Sequence, residues 1–229
     1  MTPEQIIGYY VNRLRQGGAQ NVDEFETRLR QNAGSRANLN NYLSEAVAAL
    51  MLLDYGADVS MQDRPDLAVT LKGERFYAEV KHFNRKIQDD LNDEAERNAP
   101  PFEFVRLEDT TAREGKSPYR QIADVAIKKA DQYREDEINL LIIDSDSETL
   151  HLMARSGAQE FSDDKHPAPR TSPLHRLNGI MLISSLVGVR GGPWNVDFAL
   201  TRCPARRMSF RLLRALAEIK LGIVRPKLG

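Results

Sequence analysis

Cysteine is almost absent: Cys203 is the one thiol in 229 residues. An intrachain disulfide is therefore excluded, and so is a zinc site built on cysteines. The four histidines, at 82, 151, 166 and 175, show no helical pairing that would replace them as zinc ligands. Long apolar runs are missing too. The longest, around 46–53 and 138–143, fall far short of the roughly 18 residues a spanning helix needs. The opening Met1-Thr2-Pro3-Glu4-Gln5 has neither the basic start nor the apolar stretch of a secretory signal. These absences lead to the expectation of a soluble, cytoplasmic protein with no membrane partner. Net charge is nearly missing as well, at −1 from 32 basic and 33 acidic residues, so the whole chain exerts no pull on polyanions. No glycine-rich phosphate loop, internal repeat or low-complexity tract is present.

What remains is ordinary globular material. Hydrophobic residues make up 41% and charged residues 28%, which excludes wholesale disorder. The length suits one large domain, or one domain with an added subdomain, that buries its core without staples. Charge is uneven along the chain. From Arg202 onward eight Lys/Arg face a single acid, Glu218. That run reads either as a solvated helix face or as a phosphate-contacting surface, with Arg207, Arg211 and Arg214 as its candidate contacts.

Local signals predict the elements. Thr2, Pro3 and Gln5 form a helix start with a capping box, and Gly17-Gly18 ends that helix. A second helix is expected near 22–31. A third runs over about 39–55, with Leu43, Val47, Leu50 and Leu53 at helical spacing and Gly56 at its end. Strands follow at 57–61, 66–71 and 75–81. A charged insertion occupies 84–117, partly helical near 88–97. A helix over about 118–134, capped by Ser117, leads to a buried strand at 138–143. Residues 156–177 read as loop, and two more strands are expected at 179–185 and 196–201, turning at Gly191-Gly192-Pro193. A last helix spans about 209–221. Tyr133 and Trp194 are readable as base-stacking residues, but core packing is the simpler assignment.

The segment with chemistry in it is Asp66-Leu-Ala-Val-Thr-Leu-Lys-Gly-Glu-Arg-Phe-Tyr-Ala-Glu-Val-Lys81. It alternates with period two on both sides of Lys72-Gly73, as a β-hairpin does. A two-residue loop there places Asp66 directly opposite Glu79, with Cβ atoms roughly 4.5–5.5 Å apart. Lys81 projects from the same face, while Leu67, Val69, Leu71, Phe76, Ala78 and Val80 fill the other. Two facing carboxylates repel, and a divalent cation is the simplest compensation. Mg²⁺ takes oxygen ligands and keeps waters, so Asp66, Glu79 and the Val80 carbonyl are candidate ligands. A plainer reading makes the carboxylates surface groups at a sheet edge, with Lys81 as a salt-bridge partner.

Pro65-Asp66 followed by Glu79-Val80-Lys81 resembles the PD-(D/E)xK, or restriction-endonuclease-like, nuclease superfamily. The order helix, strand, strand, strand, helix, strand over residues 39–145 is similar to that family's core. The resemblance implies an α/β fold with a central mixed sheet flanked by helices. It further implies an Mg²⁺- or Mn²⁺-dependent endonuclease that hydrolyses phosphodiester bonds in DNA. Asp66, Glu79 and Lys81 would be its catalytic residues, and Glu45, on the preceding helix, would join them and the metal. On the following helix the family often places a polar residue, and Lys128, Lys129 and Gln132 are the candidates, with Lys128 and Gln132 favoured. Residues 1–38 would be a helical extension, 84–117 an insertion in the core, and 146–229 strands and a basic helix completing the same domain. Cutting both strands of a duplex calls for two sites, which a homodimer or a partner protein would supply. The alternative is a silent module of the same fold that binds nucleic acid or a protein without cutting.

Overall fold

The computed structural model describes residues 2–83, 118–145, 173–183, 194–201 and 206–222, with positions 94, 98 and 100. Most of the 84–117 insertion, the Ser117 cap, residues 156–172 and the Gly191-Gly192-Pro193 turn lie outside the described residues.

The chain opens with three helices, α1 (Pro3–Gln16), α2 (Val22–Asn32) and α3 (Arg36–Asp54). The capping box of α1 is present, with Thr2 and Gln5 each bonding the other's backbone N–H. α3 starts earlier than its apolar spacing predicts, because Ser35 caps it by accepting from Asn38 N–H at 3.5 Å. Strands β1 (Asp58–Met61), β2 (Leu67–Leu71) and β3 (Glu74–Phe83) follow. After them come α4 (Pro118–Lys128), β4 (Asn139–Ser145), β5 (Leu177–Ile183), β6 (Val196–Leu200) and α5 (Phe210–Lys220). The predicted helix at 118–134 ends early: the chain tightens into a single 3₁₀ turn at Ala130–Gln132, and the Tyr133 hydroxyl donates back to Ala126 O at 3.2 Å. A 3₁₀ turn at Pro173–Arg176 leads into β5.

The six strands among the described residues lie in one open mixed sheet in sequence order, with β3, β4 and β5 parallel and the others antiparallel to their neighbours. The β2–β3 register agrees with a two-residue loop: Leu67 pairs with Ala78, Val69 with Phe76 and Leu71 with Glu74. The loop residues Lys72 and Gly73 have φ of 53° and 83°, the left-handed pair that matches the twist of a tight hairpin.

Each face of the sheet has its own layer. Leu67, Val69, Phe76, Ala78, Ile142 and Met181 share one buried cluster with residues of α1, α2, α3 and α5. Leu141, Ile143, Ile180 and Leu182 pack instead on Ile122 and Ala126 of α4 and on Tyr133. The helices of residues 1–38 therefore belong to the same core as the sheet. Tyr133 and Trp194 are buried, and the Trp194 indole N–H donates to Asp54 Oδ2 at 2.8 Å. Among the described residues no helix is long and apolar enough to cross a membrane.

Candidate active site

β3 outruns β2. Its first five residues pair with β2, but among the described residues Glu79–Phe83 have a strand neighbour only on the β4 side. Where β2 ends, the Asp66 side chain takes over the ladder: Asp66 Oδ2 accepts from Val80 N–H at 2.7 Å. Gln62 N–H in turn donates to Asp66 O at 2.8 Å, which turns the 62–66 segment away from the sheet. The gap becomes an open cleft of about 350 Å³ among the described residues. Its walls come from α2, α3, the 62–66 segment, β3 and the turn after α4.

Three carboxylates lie at the bottom of this cleft or just beneath it. Glu79 is 1% exposed, and Asp66 and Glu45 are each 8% exposed. Burial pushes Glu45 up to about 9, and repulsion from Asp66 adds to the effect. Burial first and Asp66 second push Glu79 up to about 7, even with an ammonium beside it. Burial likewise raises Asp66, opposed by Lys129 and by the Val80 N–H bond. Three acids so placed cannot all be ionised without a cation nearby. Among the described residues Glu79 Oε1 is buried with no hydrogen-bond donor. Oxygen donors of this kind suit a hard divalent cation, and an unpartnered buried carboxylate oxygen is where one would complete the set. As the side chains stand, no three His, Cys, Asp or Glu among the described residues gather around a single point as a metal cluster. An ammonium is the cation in place: Lys129 Nζ donates to Glu79 Oε2 at 2.8 Å.

The structure brings together the residues singled out by the motif. Glu45, Asp66, Val80, Lys81 and Gln132 all line the cleft, and Glu79 lies beside them through Lys129. Lys81 is half-buried, and its ammonium donates to Asn41 Oδ1 at 3.0 Å. Burial lowers the Lys81 pKa, and repulsion from Lys129 lowers it further. Of the two lysines ending α4, Lys129 reaches the carboxylates while Lys128 is exposed on the helix surface. The resemblance favours Lys128, but α4 stops at that residue and it is the next side chain, Lys129, that reaches the carboxylates. Gln132 contributes a buried Oε1 with no hydrogen-bond partner.

The basic residues Arg207, Arg211 and Arg214 lie elsewhere. Arg211 and Arg214 border a shallow depression with Lys72, at the tip of the hairpin, and Arg214 pairs with Glu218 at 2.9 Å. The tip is five residues of β3 away from Glu79, about 17 Å at strand rise. Arg28 and Asn41 are cleft residues that the motif does not contain. Asn41 had a signal: with Asn38, Tyr42 and Glu45 it forms a polar stripe at spacings of three, four and seven on α3. Arg28 had none, because α2 lies outside the motif.

Behind the cleft, a buried polar trio ties α3 to the sheet. Ser44 Oγ donates to Asp144 Oδ2 at 2.6 Å and stands 3.0 Å from His82 Nδ1, which is itself 3.3 Å from Asp144 Oδ2. His82 thus points to the opposite face from Lys81, as strand alternation requires. The trio sets the depth of α3 immediately beside Glu45.

No family model, curated protein or solved structure matches this chain. Its functional reading therefore rests on the cleft itself.

Proposed function

We propose that the cleft is the active site of a metal-dependent phosphodiesterase of the PD-(D/E)xK type, an endonuclease acting on DNA. The observation that carries this reading is the set of three buried carboxylates at the open end of β3, one oxygen without a donor, with the Lys81 ammonium held beside them. Glu45, Asp66 and Glu79, with the Val80 carbonyl, would hold Mg²⁺ or Mn²⁺. When bound, such an ion polarises a phosphate oxygen and makes a bound water more acidic.

The chain's own residues supply the rest. Asn41 fixes the Lys81 ammonium at the cleft wall. There it orients the attacking water and offsets charge developing on the phosphate. Its lowered pKa also makes that ammonium a readier proton donor than a free lysine. Lys129 balances the negative charge of Glu79 and Asp66, and Gln132 offers an acceptor at the cleft wall. In the net reaction the water oxygen bonds to phosphorus and one ester P–O bond breaks. The departing oxygen then takes up a proton.

Purified protein incubated with supercoiled plasmid and with single-stranded DNA, in Mg²⁺, Mn²⁺ or EDTA, tests this. Metal-dependent nicking, lost in Lys81→Ala and in Asp66→Asn with the fold retained by circular dichroism, is the expected result. Cleavage unchanged in both variants would overturn it. One observation favours a second reading, a module that binds nucleic acid without cutting: the Lys129 ammonium already neutralises Glu79. That reading requires binding that persists in EDTA, with no turnover in any metal.

A further inference from the structure

The walls of the cleft bear on what can enter it. The carboxylates are not on an open face. Arg28 and Asn32 of α2 stand on one side, Lys129 and Gln132 on another, and the 62–66 segment closes a third. A volume of about 350 Å³ is at the small end of small-molecule sites, roughly 300–1,000 Å³. A phosphate on an intact duplex sits on a stiff cylinder and cannot descend between such walls without distortion. A phosphate on an unpaired strand can.

The lining suits an unpaired strand. Arg28 presents a guanidinium whose buried Nε has no hydrogen-bond partner among the described residues. Its Nη2 donates to Gln62 O, and its Nη1 is 4.0 Å from Asp63, which is itself mostly exposed. The fork is thus held at the cleft wall by one carbonyl and a distant, exposed carboxylate, which leaves its charge available to a phosphate oxygen. Exposed Arg64 adds a second cation at the cleft. Tyr42 contributes an aromatic ring at the wall, and Asn32, Asn38 and Gln62 contribute amides able to donate to and accept from base edges.

We propose that the cleft selects an unpaired nucleic-acid strand over intact duplex, with Arg28 of α2 anchoring a phosphate of that strand. The inference rests on the nuclease reading for its ligand class, but its test measures binding and not cutting. Arg28 is a binding residue here, brought to the carboxylates by the N-terminal helices.

Fluorescence anisotropy on the full chain provides the test. The probes are a short single-stranded DNA and a duplex of the same sequence, in EDTA and then in Ca²⁺, at salt from about 50 to about 200 mM. The wild-type protein is expected to bind the single strand at least about tenfold more tightly than the duplex. Arg28→Ala should weaken single-strand binding about tenfold and reduce the salt slope by about 0.7, the signature of one lost phosphate contact on a single strand. Arg28→Lys should keep the slope while losing part of the affinity, because charge remains and the fork does not. Equal binding of both probes overturns the proposal. So does Arg28→Ala weakening both probes alike with an unchanged slope, which is what a merely structural arginine would do. If neither probe binds, the inference fails, and the plasmid assay on the same preparation shows separately whether the nuclease reading survives. Selective binding without cutting would sink the nuclease reading and leave this inference standing.

Discussion

At the residue scale the carboxylates dominate, and their protons set a pH dependence. Folding raises Glu45 from 4.5 to about 9 and Glu79 from 4.5 to about 7. Between the lower value and each raised one, the folded chain binds more protons than the unfolded chain. Stability of the metal-free protein therefore falls as pH rises through that window, and is best at its acidic end. Glu45→Gln keeps the shape and removes the larger of the two raised acids. In EDTA at about pH 8 the variant is expected to be about 1–2 kcal/mol more stable than wild type, roughly 2–8 °C in Tm. The gain should vanish near about pH 5, where wild-type Glu45 is protonated anyway. Scanning fluorimetry across pH checks it, and a variant that is less stable at the alkaline end would show that Glu45 is not held protonated. Lys129 gives the converse case. Lys129→Met leaves Glu79 beside Asp66 without its cation, and should cost about 2 kcal/mol in urea unfolding at neutral pH. Glu79→Gln in the same background should recover most of that loss, since a neutral amide needs no cation.

At the element scale, the hairpin shows what a sequence can specify. Alternation on both sides of Lys72-Gly73 leaves one register open to a two-residue loop, and the strands take it. Gly73 holds the turn at φ 83° with open space around its Cα, so Gly73→Ala strains the backbone without a clash. The expected cost is about 1 kcal/mol, read as a lower urea midpoint with an unchanged slope. Two further strands were legible for a different reason: β4 and β5 carry short continuous apolar runs, at 140–143 and 180–183. The site was legible only as far as local pattern reaches. Asp66, Glu79 and Lys81 share one hairpin, so alternation alone brings them together. The choice between Lys128 and Lys129 follows from where α4 gives way to the 3₁₀ turn, an end that the Tyr133 hydroxyl ties back to Ala126 O. Arg28 comes from an element more than thirty residues upstream, and its place in the cleft follows from tertiary packing that no local pattern encodes. The Ser44–Asp144 bond is likewise long-range. Ser44→Ala should cost about 1–3 kcal/mol, and the Lys81–Asn41 contact would feel any shift of α3 that results.

At the scale of the whole molecule, the described sheet begins at β1, and that edge is covered. Gln20, in the link between α1 and α2, pairs with β1 on its outer side: its N–H donates to Val59 O at 2.9 Å, and its carbonyl accepts from Met61 N–H at 3.0 Å. Asn21 adds a side-chain bond to Ser60 at 3.0 Å. Binding of Mg²⁺ or Mn²⁺ to the folded chain alone would stabilise it by about 2.7 kcal/mol at a hundredfold excess over Kd. A Tm rising with either ion, but not in Glu79→Gln, is the expected outcome. The Gln20 bridge also has a bearing on how this chain can be cut down. The motif-bearing stretch that begins at residue 39 looks like a self-sufficient unit on paper. Shortened to that point, the protein would lose the strap over β1 and present bare amides and carbonyls to its neighbours. A truncated chain is then expected to stick to copies of itself, strand to strand, before it can be asked whether it still cuts.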